Sequence, residues 1–329
     1  MKLEVARSAA EMEQFRSAWE RLYGPEQYTI FQTFAWNRLA AQRFASREAP
    51  LIVFAETDSS AAIVPACVCN GSHISLLGDM LFDYRAVLRG GGPEALNAAF
   101  SYLADLNLPL DLKAVRETDL LPFEHLEPTF FCNAPGVQRQ NVTADQFAAE
   151  HSRLGRFFRR LARQRVELQQ FFGDQESLIR WIYQRKGEQF VNSAADIFSD
   201  PARIDFIVAA AALDPSKFEI FAFTIAGRVI AALVTLRDGH VRRFYTVWFD
   251  QEWAQYSPGT VLVFAITQRS LAEGLDCDYM TGEQPHKVRL ATAMTRLFQV
   301  SGPLRPAIEL VPAATEISAL TEPLPHAAD

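Results

Sequence analysis

Between Phe218 and Trp248 the sequence passes through three segments of alternating apolar and polar residues, Phe218–Ile225, Val229–Arg237 and Val241–Trp248. They are joined by Ala226-Gly227-Arg228 and Asp238-Gly239-His240. Alternation with a period of two marks strands with one buried face, and Asp-Gly between two β-rich runs is a strong hairpin signal. Links this short leave the three strands only one arrangement, an antiparallel meander. The pattern then changes. Pro258–Glu273 reads as a helix with proline at its first position and Gly274 as its stop, and Asp276–Met280 reads as a strand. The expectation is a sheet in which residues 218–248 lie beside strand 276–280, with helix 258–273 over one face.

Upstream of the meander, Thr143 and Gln146 have capping-box spacing. Arg153–Arg165 follows as a basic amphipathic helix: Leu154, Phe157, Phe158 and Leu161 fall on one side, Arg153, Arg156, Arg160 and Arg163 on the other. Gln175–Phe190 and Pro201–Leu213 are further helices. The second half thus reads helix, helix, meander, helix, strand. The first half repeats that order more weakly. Helices are expected at Ala10–Tyr23 and Thr33–Phe44, and strands at Leu51–Glu56, Ala61–Cys69 and Ile74–Leu77. A loop follows at Gly78–Arg85, then a helix at Pro93–Leu106 and a strand at Leu108–Val115. No motif repeats at the level of residues, so a duplication rests on element order alone. The expected division is 1–142, 143–312 and a tail, 313–329, in a mixed, mainly antiparallel α/β (α+β) fold.

Composition narrows the class. The chain has 329 residues, 49% hydrophobic and 22% charged, which is ordinary for a globular protein. No apolar run approaches the ~18 residues of a membrane span, and Met1-Lys2-Leu3-Glu4-Val5 lacks an apolar signal core. A cytoplasmic protein without a membrane span is expected. The net charge of −7 is carried by residues 1–150, with 19 acidic against 12 basic, while the remainder has 20 of each. That balance argues against DNA as a partner. Cys67, Cys69, Cys132 and Cys277 form no disulfide framework, and no histidine stands at zinc spacing from Cys67-Val68-Cys69, so buried thiols and no metal are expected.

Two stretches carry chemistry. Gln255-Tyr256-Ser257-Pro258-Gly259-Thr260 joins the third meander strand to the long helix. Ser257 can cap, Pro258 suits the first helical position, and Gly259 lets a ligand approach the backbone. The free N–H groups of a helix start attract phosphate; a well-capped helix start alone also accounts for these residues. The second stretch, Asp276–Arg289, ends a strand in Thr281-Gly282 and gathers Glu283, His286, Lys287 and Arg289 in one short loop. A cation at a strand end suits an oxyanion or a phosphate, and a solvated turn is the plainer reading. The arginine stripe on Arg153–Arg163 reads either as a solvated helix face or as a place for phosphates or an acidic glycan.

Taken in order, Tyr245–Trp248, Phe249-Asp250, Tyr256-Ser257-Pro258-Gly259-Thr260, Asp278-Tyr279 and Gly282-Glu283-Gln284-Pro285-His286-Lys287 resemble the CelD-like acetyltransferases of the GNAT superfamily, the BioF-type acetyltransferase domain. Gln184-Arg185-Lys186-Gly187 and Ile197-Phe198-Ser199-Asp200-Pro201 also fit. The likeness covers roughly residues 150–300. Phe31-Gln32-Thr33-Phe34-Ala35-Trp36 and Gly78…Asp83-Tyr84 fit more loosely. The resemblance implies a GNAT-like fold, in two tandem copies as in the related Fem peptidyltransferases, with the first copy degenerate and on the acceptor side.

It also implies an acyl, notably acetyl, transfer from acyl-CoA to an amine or hydroxyl of a small molecule or of a cell-envelope or exopolysaccharide precursor. Donor contacts would fall to Gln255, Ser257, Pro258, Gly259 and Thr260. Gln255 matches the family's phosphate loop, whereas Pro258 stands where its first glycine belongs and Thr260 where its last small residue does. Lys287 matches a lysine that assists acyl transfer in Fem-like relatives, and His286 replaces the usual tyrosine. Glu283 and Asp83 are candidates for the base that takes the proton of the attacking amine. Tyr245 either lines the site or belongs to the core. Tyr84, Trp36 and Arg185 would meet the acceptor, though Trp36 also reads as core. Transfer should be direct, because no cysteine is placed for a covalent intermediate. Two other readings stay open: a Fem-like transferase that takes its acyl group from aminoacyl-tRNA, and a catalytically silent GNAT-like binding protein. The donor loop separates them, since only an enzyme must hold a donor.

Overall fold

The computed structural model describes residues 1–172, 175–191 and 196–304, divided between two compact units: 1–132 with 296–304, and 133–295. The expected tail 313–329 lies outside the described residues.

The first unit opens with β1 (Lys2–Ala6), a short 3-10 turn at Glu11–Phe15, α1 (Arg16–Leu22) and α2 (Phe34–Arg43). The single helix expected over 10–23 is thus two pieces. Met12, Phe15 and Trp19 still face the core. Then come β2 (Glu48–Glu56), β3 (Ser60–Cys69), β4 (His73–Leu76), β5 (Leu88–Gly91), α3 (Glu94–Ala104) and β6 (Pro109–Arg116). β2 and β3 form the expected hairpin, with Leu51 opposite Ala66 and Phe54 opposite Ile63. Their near-continuous apolar sequences match burial on both faces.

The second unit takes up the chain within β7 (Thr129–Val137). It continues through α4 (Ala144–Glu150), α5 (Ser152–Arg163), β8 (Glu167–Phe171), α6 (Glu176–Phe190) and α7 (Pro201–Leu213). The capping box at α4 is formed: Gln146 N donates to Thr143 Oγ1, and Thr143 N donates to Gln146 Oε1. The meander is β9 (Phe218–Ile225), β10 (Arg228–Asp238) and β11 (Val241–Phe249), antiparallel throughout, with Asp238 opposite Val241 across the Asp-Gly turn. Then follow α8 (Pro258–Ala272), stopped by Gly274 at φ +74, β12 (Asp276–Asp278) and α9 (Pro285–Leu290). β12 runs parallel to β11, and α8 lies on the sheet, touching β9, β10, β11 and β12. The strand expected over 276–280 stops at Asp278, where Met280 turns to φ +64 and its N–H donates to Asp278 Oδ1. Lys287, expected in a loop, is on α9.

The last strand, β13 (Ala293–Pro303), pairs antiparallel with β6 and so completes the first unit from the far end of the chain. Strand order in the first unit is β1-β2-β3-β4-β6-β13, and in the second β8-β9-β10-β11-β12-β7. The two sequences of pairing match step for step: three antiparallel steps, one parallel step after a helix, and one antiparallel step. This is a GNAT-like mixed α/β sheet flanked by helices, met twice. One apolar core lies around Leu51, Val64, Phe100 and Leu112, the other around Phe147, Phe221, Leu233, Val261 and Tyr279. Among the described residues no helix is long and apolar enough to cross a membrane.

Candidate active site

β11 and β12 pair over only three residues each, Val241–Arg243 against Asp276–Asp278. β11 then runs on to Phe249 while β12 ends. Among the described residues, 244–249 therefore have no strand partner on that side, although β10 still covers the other. Arg243 marks the fork. Its guanidinium donates to Asp238 Oδ2 at 2.6 Å and also to Asp278, tying the paired part together. On the β10 side the register jumps from Val234 opposite Thr246 to Thr235 opposite Phe244, which leaves Tyr245 as a bulge. A bulge bends a strand and re-aims its side chains, and bulges gather beside active sites.

The start of α8 sits on the end of β11. A Cβ placed on Gly259 would lie 3.0 Å from Phe249 Cδ1 and 3.5 Å from Val247 Cγ2. Close contact between helix and strand accounts for the glycine, which corrects the expectation that it opens the backbone to a ligand. Ser257 adopts φ +48 and ψ +49, and its side chain caps nothing. The expected serine cap is therefore absent, for a geometric reason: an N-cap serine accepts from the helix in extended geometry, not left-handed. The preceding 3-10 turn, Gln251–Tyr256, feeds the chain into that left-handed residue. The first N–H groups of a 15-residue helix are thus left without a side-chain cap, which favours an anion there. Gln255 and Ser257 are exposed, Thr260 half-buried, and Pro258 and Gly259 buried.

Two lysines and a histidine join this end of the sheet. Lys186, on α6, donates from Nζ to the main-chain oxygen of Val247 at 2.8 Å. Burial, reinforced by the charge of Lys287, pushes its pKa down to about 8. Lys287 donates from Nζ to Thr281 O at 2.8 Å. His286 is held down to about 4, first by burial and then by Lys287, Lys186 and Arg289, so its imidazole is neutral at pH 7. Two ammonium groups close enough to raise each other's cost make a place that gains from a bound anion. Glu283 is exposed and accepts from Asn133 Nδ2 at 2.7 Å.

The sequence had pointed to Arg185 on α6. Its side chain is exposed, pairs with Glu188 at 2.8 Å and lies over the Trp181 ring. The cation that reaches β11 is its neighbour Lys186. The signal was present in the helical period: Lys186 stands three and four residues after Tyr183 and Ile182, both buried, whereas Arg185 projects from the outer face.

Asp83, Tyr84 and Trp36 belong to the first unit. Trp36 is 4% exposed and Tyr84 2%, and with Phe31 and Phe82 they form one aromatic cluster with ring centroids 5.4–6.1 Å apart. Asp83 is half-buried in the connection after β4. Residues 77–93 link β4 to α3 there, against 250–257 between β11 and α8, so the first unit lacks the short strand-to-helix junction of the second. In the same unit Glu48 faces Cys69 across β2 and β3, the sulfurs of Cys67 and Cys69 are 3.7 Å apart, and all three ligand atoms fall within 4.8 Å. An apolar cavity of about 270 Å³ lined by Ile179, Val208, Ala211, Phe218 and Ile220 lies at the first turn of α6, the opposite end of that helix from Lys186.

Residues 148–288 match the family model described as an acetyltransferase (GNAT) domain. No curated protein sequence matches the chain. Among solved structures, it resembles the C-terminal domain of a putative lysylphosphatidylglycerol synthetase from Agrobacterium fabrum, at TM-score 0.56 and 10% identity over 89% of this chain and 92% of that one. FemX is similar at TM-score 0.53 and 10% identity over 91% and 97%. A tandem GNAT protein from the clavulanic acid biosynthesis pathway is similar at 0.51 and 9% over 92% and 99%. At such identities the likeness is one of fold, and it extends over both units.

Proposed function

We propose that this chain is a GNAT-type acyltransferase that moves an acyl group, notably acetyl, from acyl-CoA to an amine or hydroxyl of a small molecule or of a cell-envelope or exopolysaccharide precursor, in the cytoplasm. The observation that carries this reading is the fork between β11 and β12, with the Tyr245 bulge in the β10–β11 pairing of the same strand and the uncapped start of α8 packed on the end of β11. An extended thioester arm can lie in such a fork along β11 beyond the end of β12. Its pyrophosphate then meets the helix start near Gln255 and Ser257–Thr260. The match of residues 148–288 to a GNAT model supports the same assignment.

In this mechanism the neutral acceptor nitrogen or oxygen attacks the acyl carbonyl directly. Lys287 and main-chain N–H groups of the open β11 edge hold the oxyanion. The proton leaves to a base: Glu283, neutral His286 and the uncharged fraction of Lys186 have suitable chemistry within the second unit. The thiolate of coenzyme A leaves with a proton. The unit 133–295, which holds Lys287 and the start of α8, carries the transfer.

Aminoacyl-tRNA is the alternative donor, supported by proline at position 258 in the donor loop and by the likeness to FemX. A silent binding protein is the third reading. Calorimetry with acetyl-CoA, longer acyl-CoAs and aminoacyl-tRNA, followed by release of free thiol in the presence of an amine panel, separates the three. Binding of acyl-CoA with acceptor-dependent thiol release is the expected result. Binding of aminoacyl-tRNA alone replaces the donor, and binding of neither removes the enzyme reading.

A further inference from the structure

Arg153, Arg156, Arg159, Arg160 and Arg163 all lie on α5, all are exposed, and none has a hydrogen bond or ion pair among the described residues. Several arginines elsewhere in the same unit are paired: Arg180 with Glu176 and Asp205, Arg228 with Asp250 and Glu252, Arg242 with Glu219 and Glu273, Arg269 with Glu273. Five arginines of one helix thus stand without a carboxylate in ion-pair reach among the described residues. Like charges at i, i+3 and i+4 on one helix repel, and no ion pair among the described residues relieves that repulsion.

The stripe also has a shape. Arg153, Arg156, Phe157 and Arg160 line an open groove of about 290 Å³. The guanidiniums of Arg153 and Arg160 lie 5.9 Å and 5.6 Å from the centre of the Phe157 ring, and Arg160 lies 6.0 Å from that of Tyr256. The Tyr256 ring in turn lies tilted against Trp253, with centroids 5.6 Å apart, and both are half-buried. Aromatic rings with flat faces beside planar guanidiniums are the equipment for a nucleotide: rings for the base and forked donors for a phosphate. The position is equally specific. Tyr256 immediately precedes Ser257 and the start of α8, and α5 packs along α8. The groove therefore adjoins the place assigned above to the donor's pyrophosphate.

We propose that this groove binds the 3′-phosphorylated adenosine end of the coenzyme A donor, with Arg153 and Arg156 reading the 3′-phosphate and Phe157, Tyr256 and Arg160 stacking on the base. The proposal rests on the acyl-CoA reading and deepens it. The pyrophosphate goes to the helix start and the third phosphate to α5, so the enzyme distinguishes coenzyme A from its dephospho form.

The test is calorimetry of the full chain with coenzyme A and with dephospho-coenzyme A, on the natural protein and on R153Q/R156Q. Neither side chain has a hydrogen bond or ion pair among the described residues, so the variant is expected to melt close to the parent. Arg156→Gln alone serves if the double variant does not fold. The natural protein should bind coenzyme A about ten- to a hundredfold more tightly than the dephospho form, the range of one or two charged hydrogen bonds. The variant should lose that preference while its affinity for dephospho-coenzyme A stays unchanged. Equal binding of the two ligands by the natural protein overturns the proposal. So does a preference that survives in the variant, which would place the phosphate elsewhere. If neither ligand binds, the acyl-CoA reading has failed and the proposal falls with it.

Discussion

The ammonium of Lys186 donates to the main-chain oxygen of Val247 at 2.8 Å, and Val247 is also the residue against which Gly259 packs. One residue of β11 thus joins α6 to the start of α8. Its position is beyond the point where β12 ends, so no strand covers this side of it.

Lys186 should cost the fold stability at neutral pH. Its pKa is lowered from 10.5 to about 8, chiefly by burial. Below pH 8 the group is charged in both folded and unfolded chains, and the full penalty applies. Between about pH 8 and 10.5 the unfolded chain holds more protons, so stability rises with pH. Above that range the penalty is gone. Lys186→Met should therefore stabilise the protein at pH 7 by about 1–2 kcal/mol, after the lost bond to Val247 offsets part of roughly 3 kcal/mol. The gap in melting temperature between variant and parent should close as pH rises towards 10.5. A gap that widens with pH would contradict a charged, buried lysine.

His286 and Lys287 should titrate as neighbours. With Lys287→Met, the imidazole pKa should climb from about 4 towards 6.5, because the second cause of its depression is removed while burial remains. Proton NMR of the ring gives this directly. In the parent, the folded pKa lies below the unfolded one, so stability should fall as pH drops from 6.5 through 4, and less steeply in the variant.

Lys287→Met should also lower kcat by about 10²–10³-fold with little change in folding, the scale of one lost oxyanion donor. A lysine that only binds the donor phosphate would instead raise KM and leave kcat nearly intact. Steady-state kinetics, once donor and acceptor are in hand, separate the two.

Gly259→Val should destabilise the protein before it affects any ligand. The added atoms meet Phe249 at 3.0 Å or closer, and overpacking of this kind costs about 1–3 kcal/mol. Thermal denaturation without ligand checks it. An unchanged melting temperature would return the glycine to a purely ligand-facing role.

Arg242 is 1% exposed and donates to Glu219, Glu273 and Ser270. Arg242→Met removes the cation and leaves Glu219 and Glu273 without it, which should cost about 3–5 kcal/mol. Urea denaturation of the two proteins measures the difference. A loss below ~1 kcal/mol would show that solvent replaces the pair.

Local chemistry made much of the second unit readable. The Asp238-Gly239 turn, the proline at 258, the Thr143–Gln146 box and Gly274 each specify a dihedral angle or a cap that acts within a few residues, and each is where the sequence put it. Strands whose polarity gave no alternation were not legible. β8 is Glu-Leu-Gln-Gln-Phe at a sheet edge, and β13 pairs with a strand nearly two hundred residues earlier. Ser257 misled for a related reason: its residue type favours a cap, but the 3-10 turn before it forces a left-handed backbone.

The site divides in the same way. The candidate residues Glu283 and Lys287 share one short segment, and 255–260 is another, so each group was visible as a local cluster. The sequence by itself also determined the meander, the helix after it and the charge of α5, all through short-range periodicity and turn chemistry. Only the tertiary structure decided that Lys186 rather than Arg185 reaches β11, that His286 is neutral, that Gly259 serves packing, and that β11 stands open beyond Arg243. These depend on which face of a helix is buried, on desolvation, and on where a neighbouring strand ends. Each is set by contacts between segments distant along the chain; of the four, only the inward face of Lys186 has a local sign, its spacing from Ile182 and Tyr183.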